Sequence, residues 1–487
     1  MQMPNIVGTP RNHAQRFALA RLCAMLSRLM SWFRGWFLVC GVLSVGCGRT
    51  PLDEPVPSRY LAFVADRDAL TQFAPYVVDV MNEADLTPRR LGAPGEKNDY
   101  VDLAWSPDGR WLAYSNDEGY IVADADNDFV EAWRGSCSAA PVWSVSIRLA
   151  ACIDSADDAL RMLDANSGVT LAAIPVAGWL YPRDYAWSPA EDRLAFVRDI
   201  EGSQLSTLSI LESDGEEHAV PMAALKYLRF QWSLDGRWLA FEGKDDDGES
   251  AWVVDTRQPA LPPQPVGASN GQMTWGRGSL ILRHGKVLSA VDASRSPIET
   301  TVISDALYGF WISRDGSVLA YATPKGLTFA SLSAGRITML STAPIGDAAE
   351  VLIAGQNALV ISQQHPKYAR HVTTHGGPVS YFGSSGERMD ESALSPDGRR
   401  ALLALANETR SRLLRVDFES MSSHTVFESK NGIGALQWVA PQRYSFEVGA
   451  RLYLGFASNK APILLHGPYS NLRDLGQVKW QPKERDR

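Results

Sequence analysis

Leu103-Ala-Trp-Ser-Pro-Asp-Gly-Arg-Trp-Leu-Ala-Tyr114 and Phe230-Gln-Trp-Ser-Leu-Asp-Gly-Arg-Trp-Leu-Ala-Phe241 are two copies of one phrase. Each has an aromatic residue, a small polar residue, a tight turn and a run ending in small and aromatic residues. Taking the Trp or its equivalent as a marker places copies at Trp105, Trp143, Trp187, Trp232, Trp275, Trp311, Leu352, Leu394 and Trp438. They are spaced 38, 44, 45, 43, 36, 41, 42 and 44 residues apart, a continuous register. A unit of about 40 residues cannot bury its own apolar face and must stack on copies of itself.

Within a unit, Leu103 to Ser106 alternates apolar and polar as a half-buried strand does. Pro107-Asp108-Gly109 supplies the turn: Pro presets φ, Asp bonds the local backbone and Gly accepts a positive φ. Trp111 to Ser115 and Tyr120 to Asp124 read as the second and third strands, and about Asp128 to Trp133 as a weaker fourth. The third strand ends in an acid at Asp124, Asp164, Asp255, Asp292 and Asp417, where a short carboxylate accepts N–H groups of the following turn. Four antiparallel strands per unit with no helical period describe the blade of an all-β propeller.

The chain resembles the TolB-type propellers, whose blades carry a Trp-Ser-Pro-Asp-Gly phrase followed by Leu-Ala-Phe or a close variant. The match is strong at residues 105, 187, 232, 311 and 394, and weaker at 143, 275, 352 and 438, where the Asp-Gly turn is lost. The resemblance implies a periplasmic protein-interaction role; it transfers no contacting residue, because the matched positions are structural.

Tyr60-Leu-Ala-Phe-Val-Ala-Asp66 looks like a second strand without its first, and Gln477-Val-Lys-Trp-Gln-Pro482 like a first without its second. Together they make a composite blade from both ends of the chain, giving about ten units, read as one continuous body with two rings as the alternative. That exceeds the usual range of about 4–8 blades.

The first 46 residues hold five arginines and no acid, so the remainder carries a formal charge of −13 against −8 for the whole chain. An acidic body excludes nonspecific nucleic-acid binding, which needs clustered Lys and Arg. Residues 30 to 47 combine a positive start, a short apolar run and small residues before Cys47, the pattern of a secretory signal. Leu43-Ser-Val-Gly-Cys47 resembles the lipobox of bacterial lipoproteins, with Leu one residue early. The resemblance implies cleavage before Cys47 and lipid attachment there; ordinary secretion is the alternative. The stretch before Met30 is surplus to such a signal, consistent with a start at Met25 or Met30.

The chain therefore divides into a signal with its extension (1–46), a Pro-rich tether (47–58), the propeller (59–482) and a charged tail (483–487). Removal of Cys23 and Cys40 and lipidation of Cys47 leave Cys137 and Cys152, an even pair that reads as a disulfide in an oxidising compartment. Two unpaired buried thiols are the alternative.

Other tempting groups have plainer explanations. Asp124, Asp126 and Asp128 begin like a calcium loop, but Phe129 stands where the loop needs Gly, and no Glu closes it. Asp245-Asp-Asp-Gly248 reads as a solvated turn. His365, His371 and His375 lie within eleven residues, but Pro366 and Gly376-Gly377 break the helix that a shared metal face would require. Gly383-Ser-Ser-Gly386 lacks the spacing of a nucleophile elbow. Trp36, Trp133, Trp179 and Trp252 fall outside the repeat position and are weak signals for a sugar platform.

The resulting expectation is an exported, lipid-anchored scaffold of the bacterial envelope, binding another envelope protein or a cell-wall component, without cofactor, metal or catalytic motif. An enzyme with its site at the central channel and a carbohydrate or peptidoglycan binder are the alternatives.

Overall fold

The computed structural model describes residues 59–480 apart from 67–72, 83–84, 93–101, 117–118, 155, 177–183, 201–202, 246–247, 270–271, 296–297, 334, 363–367, 384–385, 450, 459 and 467–477. It is an all-β, ten-bladed propeller of four-stranded antiparallel sheets. Numbered along the chain, blade 1 spans 60–90, blade 2 103–135, blade 3 142–175, blade 4 185–219 and blade 5 226–268. Blade 6 spans 272–304, blade 7 309–343, blade 8 348–382, blade 9 388–429 and blade 10 433–466. In blades 2 to 10 the strands lie in chain order. Blade 1 takes its remaining strand from Val478–Trp480, antiparallel to Tyr60–Asp66 with Leu61 opposite Trp480.

First strands of neighbouring blades touch one another, 142–143 against 185–187 and 388–394 against 433–440, so they form the inner wall. Fourth strands are the outer edges. Between every pair of successive blades lies one apolar cluster, and a tenth joins blade 10 (Leu452, Leu454, Phe456) to blade 1 (Leu61, Phe63, Tyr76). The core is thus ten interblade layers, each inner and middle strand packing on both faces, which is why the second strands read as nearly unbroken apolar runs.

The marker aromatic has a defined job. Trp105, Trp143, Trp187, Trp232 and Trp275 are buried against the preceding blade. The indole N–H of Trp187 donates to the Val142 carbonyl at 2.8 Å, Trp232 to Ala186 at 2.9 Å, Trp275 to Gln231 at 3.0 Å and Trp438 to Ala393 at 3.2 Å. In each case the acceptor directly precedes the marker of the blade before. Two markers shift by one residue. Ile312 pairs with Leu319 as Trp105 pairs with Leu112, and Ile353 rather than Leu352 packs on the preceding blade. Trp311 faces the following blade instead. The neighbouring spacings become 37, 41 and 41. At 311 an aromatic residue stands next to the true marker position, and period two puts the two residues on opposite faces.

The turn chemistry expected from Asp-Gly is present, with Ser as its centre. The Ser106 hydroxyl donates to Asp108 at 2.5 Å and accepts the Trp111 amide at 2.8 Å, while Asp108 accepts the Arg110 amide at 3.0 Å. Ser233–Asp235, Ser313–Asp315 and Ser395–Asp397 repeat this. In the last copy Gly398 has φ +67°, and a Cβ there would lie 2.3 Å from the Ala354 carbonyl of blade 8. Gly398→Ala is expected to cost about 2 kcal/mol, from left-handed strain and overpacking together. Gly355→Ala, at φ +57° with open space around it, should incur the strain alone; equal losses in urea unfolding would remove the packing argument.

Candidate functional surfaces

The repeated polar residues fold into one structural circuit. Each end-of-strand acid accepts amides of its own turn: Asp124 from Asp126, Asp164 from Asn166 and Ser167, Asp255 from Arg257, Asp292 from Ser294, Asp417 from Ser420. The arginine after the Asp-Gly turn then reaches across the blade to the same acid, Arg110 to Asp124 at 3.3 Å and Arg237 to Asp255 at 2.8 Å; in blade 9 Arg400, one position further on, bonds Asp417 at 3.3 Å. Arg110 and Arg237 also lie over the rings of Trp111 and Trp238. Burial pushes the Asp417 carboxyl up, but the Ser420 amide and hydroxyl with Arg400 hold it below the ordinary carboxylate range. The arginine half of this circuit was not anticipated, although Gly-Arg-Trp stands in both opening phrases.

The residues weighed individually distribute as follows. Cys47 lies outside the described residues, as do His365, Trp36, Trp179, Asp246, Asp247, Ser384 and Ser385. Cys137 and Cys152 are joined in a disulfide, Cα atoms 5.7 Å apart, tying the link after blade 2 to the second strand of blade 3, Leu149–Asp154. Asp124 caps a short 3₁₀ turn, Ala125–Asn127, and Asp128 pairs with Arg89 of blade 1. The imidazole Nε2 of His371 meets the side-chain amide oxygen Oδ1 of Asn357 at 2.8 Å, its ring stacks on Phe418, and burial lowers its pKa. His375 Nδ1 meets the Thr374 hydroxyl at 3.2 Å. Trp133 is buried, donating to the Ala165 carbonyl, and Trp252 stacks on Phe241. These contacts account for both rings structurally.

Two places fall outside the repeat circuit. A groove of about 550 Å3 lies between blades 4 and 5, lined by Arg193, Glu212, His218, Thr256, Arg257 and Leu261. Arg193 there is already engaged by Glu191, Glu212 and the Thr256 carbonyl. The second lies on the inner wall, where four first strands carry a register shift: near Tyr227, Ala349, Asp390 and Ala435. Bulges of this kind re-aim side chains. Tyr227 and Ala435 adopt φ of 55° and 49°, and Tyr227 is 75% exposed.

At the blade 9–10 junction the bulge receives a carboxylate. Glu391 accepts the Leu436 amide at 3.1 Å and is also bonded by the Ala435 amide. Burial raises its pKa, the two amides oppose the rise and the neighbouring Glu350 adds to it. A raised native pKa means the folded protein holds the proton longer than the unfolded chain, so this group's contribution to stability falls as pH rises from the ordinary Glu range through the native value. Glu391→Gln is therefore expected to gain stability relative to wild type as pH rises above about 4; a difference constant across parallel denaturation curves would contradict it. The local sequence, Met389-Asp-Glu-Ser392, held no signal for this contact, because a bulge in the next blade creates it.

No known family model matches the chain, and no curated protein does. Among solved structures it is similar to a eukaryotic initiation factor, at 13% identity and a TM-score of 0.51 over 88% of this chain and 99% of that one. It is also similar to a dihydro-heme d1 dehydrogenase (15% identity, TM-score 0.39, 78% and 74% covered) and to a prolyl endopeptidase (14%, 0.33, 56% and 48%). At these identities the likeness to the initiation factor is one of fold, a propeller scaffold.

Proposed function

We propose that this chain is an exported, lipid-anchored TolB-type propeller that serves as an interaction scaffold in the bacterial envelope, gripping another envelope protein or a cell-wall component with loops between its repeats. The observation that carries this reading is the pairing of a signal-like segment ending at Cys47 with a propeller bearing the Cys137–Cys152 disulfide, a bond suited to an oxidising compartment. The acidic body argues against nucleic acid as the partner. The repeat's Ser, Asp and Arg side chains bond one another within the blades, so recognition falls to the remaining surface.

A second reading, an enzyme acting at the channel, draws on Glu391 and its neighbour Glu350 on adjacent inner strands. The scaffold is preferred because the Glu391 carboxylate is held by amides of the next blade.

Crosslinking in intact envelopes, followed by identification of the captured protein, tests the scaffold; capture of no reproducible partner would reject it. Cys47→Ser is expected to move the protein from the membrane to the soluble fraction. Continued membrane association of that variant would reject the anchor.

A further inference from the structure

Among the described residues, every blade ends in an outer strand with a strand neighbour on one side only. Free N–H and C=O groups along such an edge are a template for another extended chain, and proteins guard them with charge, proline or shortness. Outer strands of six residues or more in blades 2, 6, 7 and 9 carry Glu131 and Arg134, Glu299, Arg336, and Glu428. Those of the remaining blades except blade 3 are shorter, and Gln264–Ala268 also contains Pro265 and a register shift. Among the outer strands of six residues or more, that of blade 3 alone carries no charge, although it has a register shift beside Leu171. Its outer strand Thr170–Pro175, Thr-Leu-Ala-Ala-Ile-Pro, has six residues, no charge and its proline only at the end. Val169 and Leu171 are 59% and 50% exposed. Ala172 and Ile174 pack toward blade 4, leaving Leu171 and Ala173 to solvent. The same blade is crosslinked through Cys152, which holds the edge on a braced sheet.

We propose that the edge of blade 3 binds an extended, uncharged, apolar peptide segment of a partner protein by adding it as a fifth strand. The inference rests on the scaffold reading and names the chemistry of the partner. Main-chain bonds would supply affinity, and Leu171 and Ala173 the preference for apolar side chains. Area selects a peptide over a second copy of the chain. Six residues span about 20 Å, and contact along that length falls well short of the roughly 800 Å2 per partner of a stable interface between folded proteins. Two rigid propellers meeting edge to edge would have little else to bury, whereas a peptide strand needs only the edge.

The test uses the full chain and a fluorescein-labelled octapeptide of alternating Val and Thr with a Gln at each end. A control peptide carries Pro at its two central positions. Fluorescence anisotropy should show saturable binding of the first peptide and none of the control. A variant with Leu171→Lys and Ala173→Lys should bind at least tenfold more weakly, with an unchanged melting temperature. Failure of the wild type to bind, equal binding by the variant, or wild-type dimerisation that the two lysines abolish would each overturn the proposal. Envelope crosslinking separates the two readings. Partners captured equally by wild type and variant, with no peptide binding, would remove the edge site and leave the scaffold; no partner for either would remove the scaffold itself.

Discussion

Trp232→Ala should destabilise the propeller by about 3–5 kcal/mol, the range for deleting a fully packed aromatic side chain. Trp232 is 2% exposed in the layer between blades 4 and 5, among Leu225, Leu239 and Phe241, and its indole ties to the Ala186 carbonyl. Truncation therefore empties part of a layer and removes the indole hydrogen bond from a partly buried carbonyl. Trp232→Phe retains most of the packing and should lose about 1–2 kcal/mol, chiefly the hydrogen bond and the second ring. Trp311→Ala makes the sharper comparison. Trp311 sits one residue off the marker position and is only half-buried, so its loss should be well under that of Trp232. Chemical denaturation of the three variants decides the matter, and equal losses for Trp232→Ala and Trp311→Ala would contradict the register assigned to blade 7.

Removing the disulfide is the second large effect. Cys137 and Cys152 are 15 positions apart, both buried, and closing a loop of that length restricts the unfolded chain by about 3 kcal/mol. Blade 3 depends on the bond more than its neighbours would. Its first hairpin, Ser144-Val-Ser-Ile147, lacks Asp-Gly, and Ile147 takes the left-handed conformation, φ 63°, that glycine takes elsewhere. A Cys137→Ala, Cys152→Ala variant should lose about 3 kcal/mol, with hydrogen exchange accelerating first across residues 137–154. A reductant should reproduce the loss in the wild type and leave the variant unchanged. An unaltered melting temperature in the variant would show that the hairpin stands without the bridge.

The fold was legible because its determinants are local and repeated. A Ser-x-Asp-Gly turn needs only its own few residues, and so it reads the same at Ser106, Ser233, Ser313 and Ser395. Blade 3 and blade 8 kept their strands without the turn, because interblade packing enforces the hairpin where local chemistry does not. The register at Trp311 and Leu352 is not legible in the sequence for the complementary reason: which face a residue shows depends on the strand beside it.

The candidate surfaces were less legible. Glu391 meets Leu436 across 45 positions of sequence, and neither residue stands in a phrase that announces the other. The uncharged edge at Thr170–Pro175 stands out only by comparison with the other outer strands, a contrast that needs the strands to have been placed. By contrast the role of Asp124, which opens the calcium-like run, is legible in the sequence, since a turn acid bonding the amide two residues on is a short-range event.

The sharing of blade 1 between Tyr60–Asp66 and Val478–Trp480 has a temporal meaning. A chain made or threaded across a membrane from its N-terminus produces Tyr60–Asp66 near the beginning and its partner near the end. The first sheet started is therefore the last finished. Throughout synthesis its inner edge waits unpaired, open to wrong partners, so slow or interrupted delivery of the C-terminal segment is the stage at which this protein is most exposed to aggregation and to proteolysis.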